Sequence, residues 1–203
     1  MEVFVTRQPI FDTADKVYGY ELLFRGGIEN ALASRGPDPV LLSSILDAEA
    51  ITGGKRAFIR FPDDLIEHGA PAAMPGEFLG LLVPNDVKPS QELIQICRIL
   101  KQKGYVLALD DFTQGSGQEA LVELADIIRI NFLHTSPAQL MWLSERPDLS
   151  RLELWALEVH SAKAYREARE LGCAYVQGCF FTQPVPSRGR TAASYSTAGL
   201  QLL

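Results

Sequence analysis

Short apolar runs alternate with amphipathic stretches along this 203-residue chain. Residues 3–6, 17–24, 57–61, 78–83, 105–110, 127–131, 152–159 and 174–178 are rich in aliphatic, aromatic and β-branched side chains and read as strands. Several are almost continuously apolar, as strands covered on both faces are. Helical periodicity falls between them. Residues 39–51 and 90–103 are amphipathic. Ser90-Gln91-Glu92 after Pro89 has the composition of a helix start, and Gly104 suits the position just past a helix end. Residues 161–171 follow the same scheme and stop at Gly172, while 119–125 and 137–143 predict shorter helices. The stretch 69–76, Gly-Ala-Pro-Ala-Ala-Met-Pro-Gly, reads as a loop.

Eight strands with helices between them predict an α/β fold, a TIM-like (β/α) barrel. About 200 residues is the lower limit for that architecture, so its helices must be short and its loops trimmed. The rival is an open doubly wound sheet. Gly26-Gly27 does follow a strand, but without the GxGxxG phosphate turn such a sheet normally carries. Residues 187–197 are rich in Ser, Thr, Ala, Gly and Arg, like a linker, and run into the apolar Leu200-Gln201-Leu202-Leu203. The expected organisation is a barrel domain over 1–186, then a linker or the start of a following element over 187–203. The apolar end either packs back on the barrel or leads into a further segment.

Composition narrows the functional classes. Hydrophobic residues make up 47% and charged residues 22%, which disfavours disorder, a collagen-like repeat or a disulfide scaffold. Lys plus Arg total 19 against 25 Asp plus Glu, a net charge of −6 without a basic run. That argues against general nucleic-acid binding and leaves a local anion site open. Cys97, Cys173 and Cys179 are odd in number and lack zinc spacing, so reduced thiols in the cytoplasm are expected. No apolar run approaches the roughly 18 residues that span a membrane. The opening Met-Glu-Val-Phe-Val-Thr-Arg lacks the basic and apolar regions of a secretory signal.

Barrel chemistry sits at strand C-termini, where the candidates are Glu21, Arg25, Arg60, Asp110, Asp111, Asn131, Glu158, His160 and Gln177. Asp110-Asp111 gives the sharpest signal. Adjacent carboxylates at a buried strand end need a cation, a hydrogen-bond network or both. They suit a metal or phosphate site, or a polar turn in which one Asp caps the loop 113–117. Glu21 lies within an apolar strand, where an unpaired charge is costly; it serves a site or pairs with Arg25 or Arg60. His160 reads as a ligand or as a neighbour of a helix cap. The cysteines read as packing residues, since their spacing shows no Cys–His pair. Met141 and Trp142 suit either an interface or barrel packing.

Four motifs occur in order: Gln8-Pro9-Ile10-Phe11, Tyr20-Glu21-Leu22-Leu23-Phe24-Arg25, Ala108-Leu109-Asp110-Asp111-Phe112, and Leu171-Gly172-Cys173-Ala174-Tyr175-Val176-Gln177-Gly178-Cys179-Phe180-Phe181. Together they resemble the EAL domain, the bacterial cyclic-di-GMP phosphodiesterase family, over nearly the whole chain. The Gln-Pro-Ile-Phe-Asp opening resembles the subgroup in which an EAL domain precedes an HDOD domain. The resemblance implies a barrel whose strand ends hold two divalent cations, Mg²⁺ or Mn²⁺, that clamp a phosphate of cyclic-di-GMP during hydrolysis. It also implies a possible homodimer and a protein partner or downstream HDOD-type domain.

Carried over position by position, Glu21 matches the signature Glu and Arg25 the phosphate-contacting Arg. Asp110 and Asp111 match the aspartate pair, Gln177 the Gln near the last strand, and Gln8 and Pro184 ligand-side positions. Arg60 stands where the family has a metal-binding Asn, and Leu82 where it has a metal-binding Glu. Arg129 and Asn131 replace the Lys and Asp of a Lys-x-Asp element. Leu157 and His160 replace the two Glu residues of a Glu-x-x-Glu element, with Glu158 one position out of register and on the opposite face of a regular strand.

Leucine offers no lone pair, and arginine stays protonated. Arg60 is therefore expected to take the place of a metal and to pair with Glu21 or Asp110. The expected function is a catalytically degenerate EAL domain acting as a signalling or regulatory binding module, with no catalytic residues and no cofactor. Two alternatives stay open. One is a working phosphodiesterase whose metal ligands would be Glu21, Asp110, Asp111 and Asn131. The other is a metal-independent cyclic-di-GMP receptor using Gln8, Arg25, Arg60, Arg129, Gln177 and Pro184.

Overall fold

A computed structural model describes residues 4–25, 48–61, 63–73, 75–110, 112, 117–145, 149–180 and 185–188. The chain opens with a hairpin: β1 (Phe4–Phe11) and β2 (Val17–Arg25) pair antiparallel from Phe4↔Arg25 to Phe11↔Val17. The turn is held by Asp12, whose carboxylate accepts from the backbone N–H groups of Ala14 at 2.8 Å and Lys16 at 2.9 Å. The Lys16 hydrogen bond is the main cause that lowers the Asp12 pKa from its ordinary value.

From β2 the sheet continues in parallel through β3 (Arg56–Arg60), β4 (Leu79–Val83), β5 (Val106–Asp110), β6 (Ile127–Asn131), β7 (Glu153–Leu157) and β8 (Tyr175–Val176). The ring closes because β1 pairs with β2 on one side and, at Phe11↔Val176, with β8 on the other. The result is the expected eight-stranded α/β barrel, with one antiparallel stave that strand–helix alternation did not predict. A ninth strand, β9 (Val185–Arg188), lies antiparallel beside the first half of β1.

The described helices are α1 (Ala48–Thr52), α2 (Asp63–Glu67), α3 (Gln91–Gln102), α4 (Glu119–Val122), α5 (Pro137–Ser144) and α6 (Ala162–Glu170). A 3₁₀ turn at Ala70–Ala73 occupies part of the stretch read as a loop, with Pro71 in its first turn. Ser90, Ser136 and Ser161 cap α3, α5 and α6 by accepting from the N–H groups of Leu93, Gln139 and Ala164. Gly104 and Gly172 take the positive φ that ends α3 and α6, at 86° and 77°.

Several boundaries differ from expectation. β1 reaches Phe11 rather than residue 6. Pro9, which cannot donate to a ladder, falls where β1 has left β9 and not yet met β8. Residues 39–47 of the first expected helix lie outside the described residues. β7 stops at Leu157 because Glu158 takes a φ of 58°.

Alternation along the strands makes two apolar layers. Inside the barrel, Ile10, Phe58, Leu82, Ala108, Ile127, Trp155 and Tyr175 form one cluster. Phe58 meets Trp155 edge-on at 5.0 Å, and Tyr18 stacks on Tyr175 at 4.2 Å. Outside it, Ile59, Leu81, Leu107, Leu109, Ile128 and Ile130 share a cluster with Leu93, Cys97 and Leu100 of α3. Both faces are thus covered, which is why the strands read as unbroken apolar runs.

Gly178 is fixed by crowding: a Cβ there would lie 2.2 Å from the Val159 carbonyl oxygen and 2.5 Å from its nitrogen. Backbone cannot yield as a side chain tip can, so Gly178→Ala is expected to lose about 1–3 kcal/mol of stability, read as a lower denaturation midpoint in urea.

Candidate functional site

The polar residues at the strand ends converge on one buried cation. Arg129 lies inside the apolar run of β6, and its side chain is 3% exposed. Its Nη2 donates to Glu21 Oε2 at 2.8 Å, and its Nη1 lies 2.6 Å from Asp110 Oδ1. The guanidinium also stacks on the Trp155 ring, 4.3 Å from the centroid. Gln177, just past β8, donates through Nε2 to the same Glu21 oxygen at 2.8 Å. Arg60, at the end of β3 and half exposed, pairs through Nη2 with Asp110 Oδ2.

Two carboxylates are thus matched by two guanidiniums, a balance that low-dielectric burial demands. The strands impose this pairing. Asp110 stands beside Arg129 in the β5–β6 register, and Arg129 beside Trp155 in β6–β7. Gln8 stands opposite Glu21 in the hairpin and is half buried.

This arrangement does not fit a pair of divalent cations. One Glu21 oxygen already accepts two hydrogen bonds, and each Asp110 oxygen faces a guanidinium. Leu82, beside Arg60 in register and fully buried, has no donor atom, and Leu157 stands beside Asn131. Asn131 Oδ1 accepts from the Leu133 N–H at 3.0 Å, so it serves its own loop. Among the described residues, no group of three or more His, Cys, Asp or Glu side chains could hold a metal ion.

The other candidates divide. The Arg25 backbone pairs with Phe4, and its side chain lies outside the described part, as do Asp111 and Pro184. Glu158 does not sit on a regular strand, so the expected alternation stops before it; it pairs instead with His160 at 2.6 Å. Cys179 lies 2.8 Å from His160 Nδ1, a Cys–His contact that sequence spacing did not reveal. Cys97 and Cys173 are buried, and burial pushes their thiols up to about 11 and about 12. Trp142 packs against the core beside Phe112, at 6.4 Å between centroids, while Met141 is exposed.

Among solved structures, the crystal structure of the EAL domain of DcpA from Mycobacterium smegmatis superposes with a TM-score of 0.70 at 18% identity, covering 90% of this chain and 93% of that one. The chain adopts the EAL-domain fold. Two curated proteins align with this EAL-fold chain along its length. YuxH of Bacillus subtilis (strain 168), itself uncharacterised, is 31% identical over 100% of this chain and 52% of its own length. The cyclic di-GMP phosphodiesterase CdgJ of Vibrio cholerae is 27% identical over 98% of this chain and 48% of its own. The chain therefore spans about half the length of the curated relatives it matches. No family model matches the sequence. No helix among the described residues is long and apolar enough to cross a membrane.

Arg129 is the residue whose removal matters most to this EAL-fold site. Arg129→Met would strand Glu21 beside Gln177 alone and is expected to cost about 3–5 kcal/mol in urea unfolding. Adding Glu21→Gln to Arg129→Met removes the stranded charge and is expected to recover part of that loss in the same measurement.

Proposed function

We propose that this chain is a catalytically silent EAL-fold module with a regulatory binding role in bacterial cyclic-di-GMP-related signalling. The observation that carries this reading is the Arg129 guanidinium bridging Glu21 and Asp110, with Arg60 on the outer side of Asp110. Phosphodiester hydrolysis by two divalent ions needs anionic oxygens free to bind them. Here those oxygens are neutralised by the protein's own cations, and a guanidinium does not generate hydroxide from water at neutral pH. Glu21, Asp110 and Gln177 then act as a structural plug at the barrel mouth. Regulation would pass through a protein partner or a downstream HDOD-type domain in the bacterial cytoplasm. The similarity to CdgJ, a cyclic di-GMP phosphodiesterase, supports cyclic-di-GMP as the associated messenger.

A second reading is a metal-independent cyclic-di-GMP receptor. It is favoured by the half-exposed side chain of Arg60, whose guanidinium fork suits a phosphate oxygen.

Calorimetric titration of the full chain with cyclic-di-GMP, once with Mn²⁺ and once with a chelator, tests both. The module gives no binding heat and no linear dinucleotide under either condition. Equal binding in both conditions supports the receptor instead. Linear product that disappears in Glu21→Ala establishes a phosphodiesterase and overturns the proposal.

A further inference from the structure

A second cluster lies past the ends of β7 and β8, and the Glu21–Arg129–Asp110 network does not use it. The chain leaves β7 at Leu157 and turns through Glu158 in the left-handed region. Val159 is buried, and its backbone clasps the segment after β8 twice. Its N–H donates to Gln177 O at 3.1 Å, and its carbonyl accepts from the Phe180 N–H at 3.1 Å. Gly178 lies directly against that backbone. This clasp sets Cys179 beside His160, with Sγ 2.8 Å from Nδ1. The other ring nitrogen, Nε2, lies 2.6 Å from Glu158 Oε2. The Cys179 side chain is exposed and forms no disulfide.

The order of atoms defines the chemistry. An ionised carboxylate only accepts, so Nε2 carries the hydrogen and Nδ1 of the neutral ring offers its lone pair to the thiol. Carboxylate, imidazole and thiol stand in a line, with the ring in the middle. Cysteine and glutamate contact opposite nitrogens, so the three cannot converge on one metal ion. The line is the arrangement of orienting group, base and nucleophile. Acyl transfer would also need donors aimed at a developing oxyanion. Attack on a disulfide needs none, because the leaving thiolate carries the charge away.

We propose that Cys179 is a reactive thiol that undergoes exchange with small-molecule disulfides, with His160 as its base and Glu158 as the positioning residue. The Cys179 proton passes to His160 Nδ1, and Sγ attacks one sulfur of the disulfide RSSR. The Cys179–S–SR bond forms as the S–S bond of RSSR breaks. RS⁻ leaves, and the proton on His160 passes to it or, where RSH is an acidic aromatic thiol, to water, so Cys179–SH and RSSR become Cys179–S–SR and RSH, or RS⁻ and a proton. Excess RSH reverses the step. The adduct stands two residues from Gln177, the side chain that donates to Glu21, so it enlarges the rim of the barrel mouth at that point.

The test uses the full chain with dithiobis-nitrobenzoate, an aromatic disulfide whose released thiolate is coloured. At neutral pH one thiol is expected to react rapidly, mapped to Cys179 by peptide mass, while the buried Cys97 and Cys173 react only on unfolding. The rapid phase is expected to exceed the rate of the same thiols in denaturant by about tenfold or more, because a free thiol is only a few per cent thiolate at neutral pH. His160→Ala is expected to bring the rate down to the denatured level. Glu158→Ala is expected to slow the rapid phase as well. Glu158→Gln, whose amide oxygen still accepts from Nε2–H, is expected to retain most of it. Should His160→Ala fail to fold by circular dichroism, the Glu158 pair carries the test. A native Cys179 no faster than the denatured thiols, or a rate unchanged in folded His160→Ala or in Glu158→Ala, overturns the proposal.

Discussion

The buried guanidinium of Arg129 is the constraint on which the rest of the barrel mouth depends. It reaches Glu21 on β2 and Asp110 on β5 while lying on the face of Trp155 from β7, so one side chain ties four strands together. Charges taken out of water are tolerated only when geometry and hydrogen bonding are both favourable. A planar fork with several fixed donors meets two carboxylates at once, which a lysine ammonium at the same place could not. The aromatic floor below it belongs to the layer of Phe58, Tyr18 and Tyr175, so the electrostatic cluster and the interior packing are one structure.

That coupling separates scaffold from chemistry in an unusual way. In a barrel of this kind the strand ends supply open positions for ligands. Here Leu82 and Leu157 bring hydrocarbon to those ends, and Arg60 brings a positive charge. The carboxylates of Glu21 and Asp110 stand above the interior layer, each paired with arginine. The line of Glu158, His160 and Cys179 lies instead at the rim, where β7 and β8 give way to loops.

Much of the architecture was legible in the sequence because it is set locally. Strand runs such as 57–61 and 127–131 fall within a residue of the observed β3 and β6. Ser90, Gly104, Ser161 and Gly172 mark helix ends through caps that need only nearby backbone. What escaped is non-local. Nothing near Pro9 states that β1 runs antiparallel to its neighbours, and nothing near Val185 states that it pairs with Arg7. The site shows the same division. Glu21, Asp110, Arg60 and Gln177 could each be named from their places at strand ends. That Arg129 is the shared cation depends on registers across β5, β6 and β7, although a lone arginine in Ile-Ile-Arg-Ile is itself the signal. The Cys179–His160 contact escaped for the same reason, since the Val159 clasp that creates it joins segments that no sequence pattern links.

The pairing of Phe4 with both Arg25 and Arg188 has a topological result. Arg25 ends β2 at the same pole of the barrel as Asp110, so β9 delivers the polypeptide to that pole at Arg188. β9 thus ends at the pole of the carboxylate–guanidinium cluster instead of at the far rim. A tether from that pole would make encounters with the cluster intramolecular, with an effective concentration governed by its length and stiffness.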